Sequence, residues 1–110
     1  MSKSWRTSRE YRVWRANVVR RDKTCVISGD RKTREAHHIE DGSNNPELRY
    51  DVNNGVTLAR RYHTGYHTKF LRSFKCKCTK KTFVRFLKLV AIVKDVSYDK
   101  LFGRLDFLKM

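Results

Sequence analysis

The sequence predicts an α+β fold, with helices toward both ends and brief extended segments between them. Three observations predict it. Apolar residues recur at helical spacing near both termini. Brief extended stretches bracket a loop of Gly, Asn, Pro and Asp in the middle. The 110 residues contain no repeat, low-complexity tract or Pro/Gly linker, so a single domain over 1–110 is expected.

The elements follow in order. Thr7-Ser8-Arg9-Glu10 fits a capping box, with Thr7 as N-cap and Glu10 reaching back. It starts a helix over about 8–21, whose apolar stripe is Tyr11, Trp14 and Val18. Cys25-Val26-Ile27 reads as a short strand and Ser28-Gly29-Asp30 as a turn. A second strand over 35–39 ends in His37 and His38. A loop over 40–54 follows, of a length that is uncommon without a function. Val56-Thr57-Leu58 is a brief extended return. A helix over about 59–70 carries His63 and His67 one turn apart, on one face, with Gly65 weakening it. Phe83, Phe86, Leu87, Val90 and Ala91 then mark an amphipathic helix. Ser97 caps a last one, with the stripe Tyr98, Leu101, Phe102, Leu105 and Leu108, interrupted by Gly103. These stripes are core or a homodimer seam.

Charge is the strongest bulk signal. Lys and Arg number 26 against 11 acids, for a net charge of +15. Such an excess attracts polyanions, nucleic acid first among them. Between Lys69 and Lys94 there are nine Lys or Arg and no acid. No apolar run is long enough to cross a bilayer, so no membrane association is expected. Met-Ser-Lys-Ser-Trp-Arg lacks the apolar stretch of a signal peptide. The three cysteines, Cys25, Cys76 and Cys78, argue against a disulfide framework. An intracellular location is the expectation.

All four histidines lie within 37–67, as an adjacent pair and a pair four residues apart. Hydrolysis of a phosphodiester needs a deprotonated water, charge to offset the phosphate, and a stabilised leaving oxygen. A divalent metal supplies the last two, and a neutral imidazole the first. Neighbours on a strand face opposite ways, so His37 and His38 do not both ligate one ion easily; where the strand end twists, one faces the metal and the other the water. His63 and His67 offer two imidazoles from one helix face. Three imidazoles leave positions for water and substrate. Asn54 can donate and accept at once. It is expected to tie the long loop to the strand backbone and so hold His38.

At these residues the chain resembles the HNH (ββα-metal) nuclease family, over about 14–70. Trp14-Arg15, Val18, Arg21-Asp22 and Cys25 are similar to the helix that precedes the motif in small free-standing phage members. Ala36-His37-His38-Ile39 matches the first motif block, Asn54-Gly55-Val56-Thr57-Leu58 the central asparagine block, and His63 with His67 the close. The resemblance implies a ββα-metal core with an N-terminal helix and a basic helical extension over about 71–110. It implies that His38 is the general base, that His37, His63 and His67 hold one divalent metal ion, and that Asn54 anchors the loop. Mg or Mn is the expected ion, with Zn, Ni or Co accepted. The implied activity is that of a DNA endonuclease or nickase leaving 3′-hydroxyl and 5′-phosphate ends.

The chain departs from many phage members where two Cys-x-x-Cys pairs hold a structural zinc. Cys25 and Ser28 stand at the first pair and Ala59 and Tyr62 at the second. No structural zinc is therefore expected, and Val26, Ile27 and Tyr62 should pack there instead. Cys76-Lys77-Cys78 is read as reduced thiols. Such nucleases resemble homing endonucleases, which often append a DNA-binding segment. Lys75, Lys77, Lys80 and Lys81, with Arg60 and Arg61, are the expected grips on the DNA backbone. The competing expectation is a catalytically silent nucleic-acid-binding module whose histidines hold a structural metal in a closed, four-ligand site.

Overall fold

The computed structural model describes residues 4–103 and 105. It is an α+β structure with one two-stranded antiparallel sheet and several helices. The chain groups into two units, Met1–His63 and Thr64–Met110.

In the first unit a 3-10 turn, Trp5–Thr7, leads into α1, Arg9–Asp22. The N-cap of α1 is Ser8, whose hydroxyl accepts from the Tyr11 N–H at 3.1 Å. The capping box expected at Thr7 and Glu10 does not form: the N-cap is Ser8, three residues before Tyr11, and Thr7 closes the preceding turn, donating its hydroxyl to the Ser4 carbonyl at 2.8 Å. The expected stripe is in place: Trp14 and Val18 are buried against Ala36, with Tyr11 and Val52 partly buried beside them. Burying such side chains stabilises by about 1.5–3 kcal/mol each.

Strands β1, Arg34–His38, and β2, Gly55–Ala59, pair antiparallel with His37 opposite Val56 and His38 opposite Gly55. Side chains alternate across the sheet. Ala36, His38, Gly55 and Thr57 therefore face α1, while Glu35, His37, Val56 and Leu58 face the other way. Gly55 is required by close approach: a Cβ there would lie 2.5 Å from Val18 Cγ2 and 2.7 Å from Trp14 Cζ2.

The outer edge of β2 is closed by side chain and turn. The Thr57 N–H donates to Asp22 Oδ2 at 2.9 Å, and its carbonyl accepts from the Val26 N–H at 3.0 Å. An edge satisfied in this way offers no template to a further strand. Arg21 adds to the same corner, paired with Asp22 and donating to the Val52 and Gly55 carbonyls. The strand expected at Cys25–Ile27 is instead part of a turn. The Cys25 N–H bonds the Asp30 carbonyl and the Gly29 N–H bonds the Cys25 carbonyl, both at 2.8 Å, with Gly29 at φ 78°. Val26 and Ile27 are buried there, as expected, and Tyr62 is half-buried.

After β2 one helical run begins with α2, Arg60–Thr64. It continues as a π-helical segment, Gly65–Leu71, and ends as α3, Arg72–Phe74. The regular α-helix expected over about 59–70 is thus partly π-helical and ends four residues later. The change of pitch begins at Gly65, the weakest helix former of the run. Lys75, in the left-handed region at φ 51° and ψ 42°, stops it.

The second unit packs on aromatic rings. Tyr66 and Phe70 of the π segment meet Phe83 and Phe86 of α4, Lys80–Val93, at centroid distances of 5.0–5.4 Å. The Tyr66 hydroxyl, buried by this packing, bonds Thr82 Oγ1 at 3.1 Å. Thr79 and Thr82 form a capping box at the start of α4. Phe83, Phe86, Leu87 and Ala91 of the expected stripe are buried and Val90 is half-buried. Ser97 caps α5, Tyr98–Phe102, which stops at Gly103. Phe102 and Leu105 are buried; Leu108 of that stripe lies outside the described residues. Among the described residues no helix is long and apolar enough to cross a membrane.

Candidate metal centre

Glu35 and His37 lie two residues apart on one face of β1, and His63 comes to them from α2. The rings of His37 and His63 are 5.0 Å apart at 72°. His63 Nδ1 stands 3.0 Å from Glu35 Oε1. His67 is four residues further along the same unbroken helical run, so local chain geometry sets its place beside His63. Candidate ligand nitrogens of His37, His63 and His67 all lie within 4.8 Å of one another, close enough to hold a metal ion. Donors around a tetrahedral ion with bonds of about 2.1 Å stand about 3.4 Å apart. Side-chain rotation of about 1 Å closes the difference, so these residues fit such an ion. His37 is buried, His63 half-buried and His67 exposed, so the group opens outward on the helix side.

His38 faces the other way, as alternation requires. Its ring lies flat on Trp14, 3.9 Å between centroids at 7°, and Trp5 meets it edge-on at 5.3 Å. Its Nε2 is 2.9 Å from the Arg49 carbonyl oxygen. A carbonyl only accepts, so Nε2 carries the proton and the lone pair of the neutral ring is on Nδ1. Burial pushes the His38 pKa below the ordinary histidine value, outweighing the Arg49 carbonyl, which raises it. The ring is therefore neutral near pH 7, the form a base needs.

Asn54 donates and accepts at once, as its amide suggested, but to loop residues and not to the strand backbone. Its Oδ1 accepts from the Glu40 N–H at 2.8 Å, and its Nδ2 donates to the carbonyls of Glu40 at 3.0 Å and Leu48 at 3.2 Å. This fastens both polar groups of Glu40, two residues beyond His38, to the start of β2. The Ile39 N–H adds a bond to the Asn54 carbonyl at 3.0 Å. The Arg49 carbonyl that bonds His38 belongs to the loop fastened by this clamp.

The basic residues fall into two groups. Arg60 and Arg61 are exposed and engaged: Arg60 Nε is 3.1 Å from Glu35 Oε2, and Arg61 Nη1 is 2.8 Å from Asp30 Oδ2. Lys75 and Lys77 are exposed between α3 and α4, while Lys80 and Lys81 occupy the first turn of α4, which has no acid. Cys25, Cys76 and Cys78 form no disulfide.

Sequence reasoning gave Glu35 and Trp5 no role at the site and Trp14 only a place in the helical stripe. Period-two alternation from His37 points to Glu35, and the helical stripe contains Trp14. Neither pattern shows that a carboxylate reaches His63 or that an indole lies on His38. No protein-family model, no curated protein and no solved structure matches the chain.

Proposed function

We propose that this chain is a metal-dependent DNA endonuclease or nickase of the HNH type, with β1, β2 and the helical run after them serving as a ββα-metal core. The observation that carries the reading is the meeting of His37 from a strand with His63 and His67 from a helix, their nitrogens within 4.8 Å. The net charge of +15 supports a polyanionic substrate.

His37, His63 and His67 would hold the ion. A bound divalent cation supplies positive charge against the scissile phosphate and the leaving oxygen. His38 is the last residue of β1, so a phosphate crossing the strand end would meet His37 on one side and His38 on the other. With its proton on Nε2 and held by the Arg49 carbonyl, His38 takes a proton from water on Nδ1. Asn54 keeps the loop carrying that carbonyl in place. Lys75, Lys77, Lys80 and Lys81 grip phosphates, in a term that weakens with salt.

Nicking of supercoiled plasmid in Mg²⁺, Mn²⁺, Zn²⁺, Ni²⁺ or Co²⁺, with and without chelator, tests the reading. Wild type should nick in at least one metal and stop with chelator. His38→Ala should lose cleavage and keep metal binding, whereas His63→Ala should weaken both. Equal nicking by wild type and His38→Ala overturns the base assignment. No nicking by wild type in any of these metals overturns the function.

A further inference from the structure

We infer that Glu35 is a positioning residue that decides which nitrogen His63 presents to a ligand. The consequence for metal binding rests on the reading above; the effect on the His63 ring does not.

The argument starts on β1. Glu35 shares a sheet face with His37, which aims its carboxylate at α2. There it meets two side chains one turn apart: Oε1 lies 3.0 Å from His63 Nδ1 and Oε2 lies 3.1 Å from Arg60 Nε. A deprotonated carboxylate only accepts. With the Arg60 guanidinium on one oxygen, the other accepts from the imidazole, so the proton of His63 sits on Nδ1. That leaves Nε2 as the ligating atom.

Two features separate this role from ordinary surface pairing. The Glu35 and Arg60 side chains are 31% and 68% exposed, and pairs so open contribute little to stability. Glu35 is also absent from the histidine group within mutual ligand distance. It stands behind His63 and not beside it. A carboxylate behind a ligating imidazole fixes its tautomer and ring orientation and raises its basicity. Arg60, holding the second oxygen, keeps the carboxylate from turning away.

The test has two arms. Long-range ¹H–¹⁵N spectra of the metal-free protein above pH 7.5 read the tautomer. His63 should carry its proton on Nδ1 in wild type and shift to Nε2, the form free histidine side chains favour, in Glu35→Ala. Glu35→Gln retains an accepting oxygen and should keep most of the Nδ1–H form. Titration with Co²⁺, followed by its visible absorption, reads affinity. It should fall about 10- to 100-fold in Glu35→Ala, less in Glu35→Gln, with the unfolding midpoint little changed. A wild-type His63 protonated on Nε2, or equal Co²⁺ affinity in wild type and Glu35→Ala, overturns the inference. If wild type takes up no Co²⁺, the metal reading falls, and the tautomer shift alone decides for or against Glu35.

Discussion

Replacing Asn54 with alanine removes three hydrogen bonds at 2.8, 3.0 and 3.2 Å from a buried amide. Each is worth about 1 kcal/mol net. The orphaned groups belong to half-buried residues, Glu40 and Leu48, which water can reach, so the loss should total about 2–3 kcal/mol. Asn54→Asp tests the direction of the bonds. It keeps an acceptor for the Glu40 N–H but turns a carboxylate oxygen toward two carbonyls. At pH 7 it should be at least as damaging as alanine, by about 1 kcal/mol or more. Burial and the facing carbonyls raise the folded pKa of the new carboxyl above its unfolded value of about 3.9. The folded state then binds more protons, so stability relative to Asn54→Ala falls as pH rises between those two values and returns on acidification. Urea unfolding of both variants and wild type from pH 4 to 7 measures this. An Asn54→Ala loss under about 0.5 kcal/mol, or an Asn54→Asp curve parallel to that of Asn54→Ala, would refute the clamp.

Three further outcomes follow from the same geometry. Gly55→Ala drives a methyl into Val18 and Trp14 and should cost about 1–3 kcal/mol, read as a lower melting temperature; an unchanged midpoint counts against the close approach. The lowered His38 pKa places the NMR titration midpoint of His38 below about 6.5. Its contribution to stability is full above that pH and is lost as pH falls toward the folded value, so a midpoint at or above 6.5 contradicts the burial. Converting Lys75, Lys77, Lys80 or Lys81 singly to Gln should lower the slope of log affinity for duplex DNA against log salt by about one each. A slope indifferent to all four removes that segment from the interface.

The helical and strand periodicities made much of the frame legible. Trp14 with Val18, and Phe83 with Leu87, repeat at helical spacing and are buried as that spacing demands. That the Asn54 amide donates and accepts at once followed from its chemistry, whereas its partners, Glu40 and Leu48, lie in the loop and not on a strand. What stayed hidden depends on tertiary closure. Val26 and Ile27 have the composition of a strand, yet hydrogen bonds closing between Cys25 and Asp30 fold them into a turn. The π-helical pitch after Gly65 has no pattern in the apolar residues. The carboxylate behind His63 needed the sheet register before it had a meaning.

Both tryptophans of the chain, Trp5 and Trp14, lie against the imidazole of His38. An imidazolium quenches the emission of an indole it touches, whereas a neutral ring does so far less. The tryptophan emission of this protein should therefore change as His38 takes up a proton. Without any label, its brightness across an acid titration follows the charge on His38.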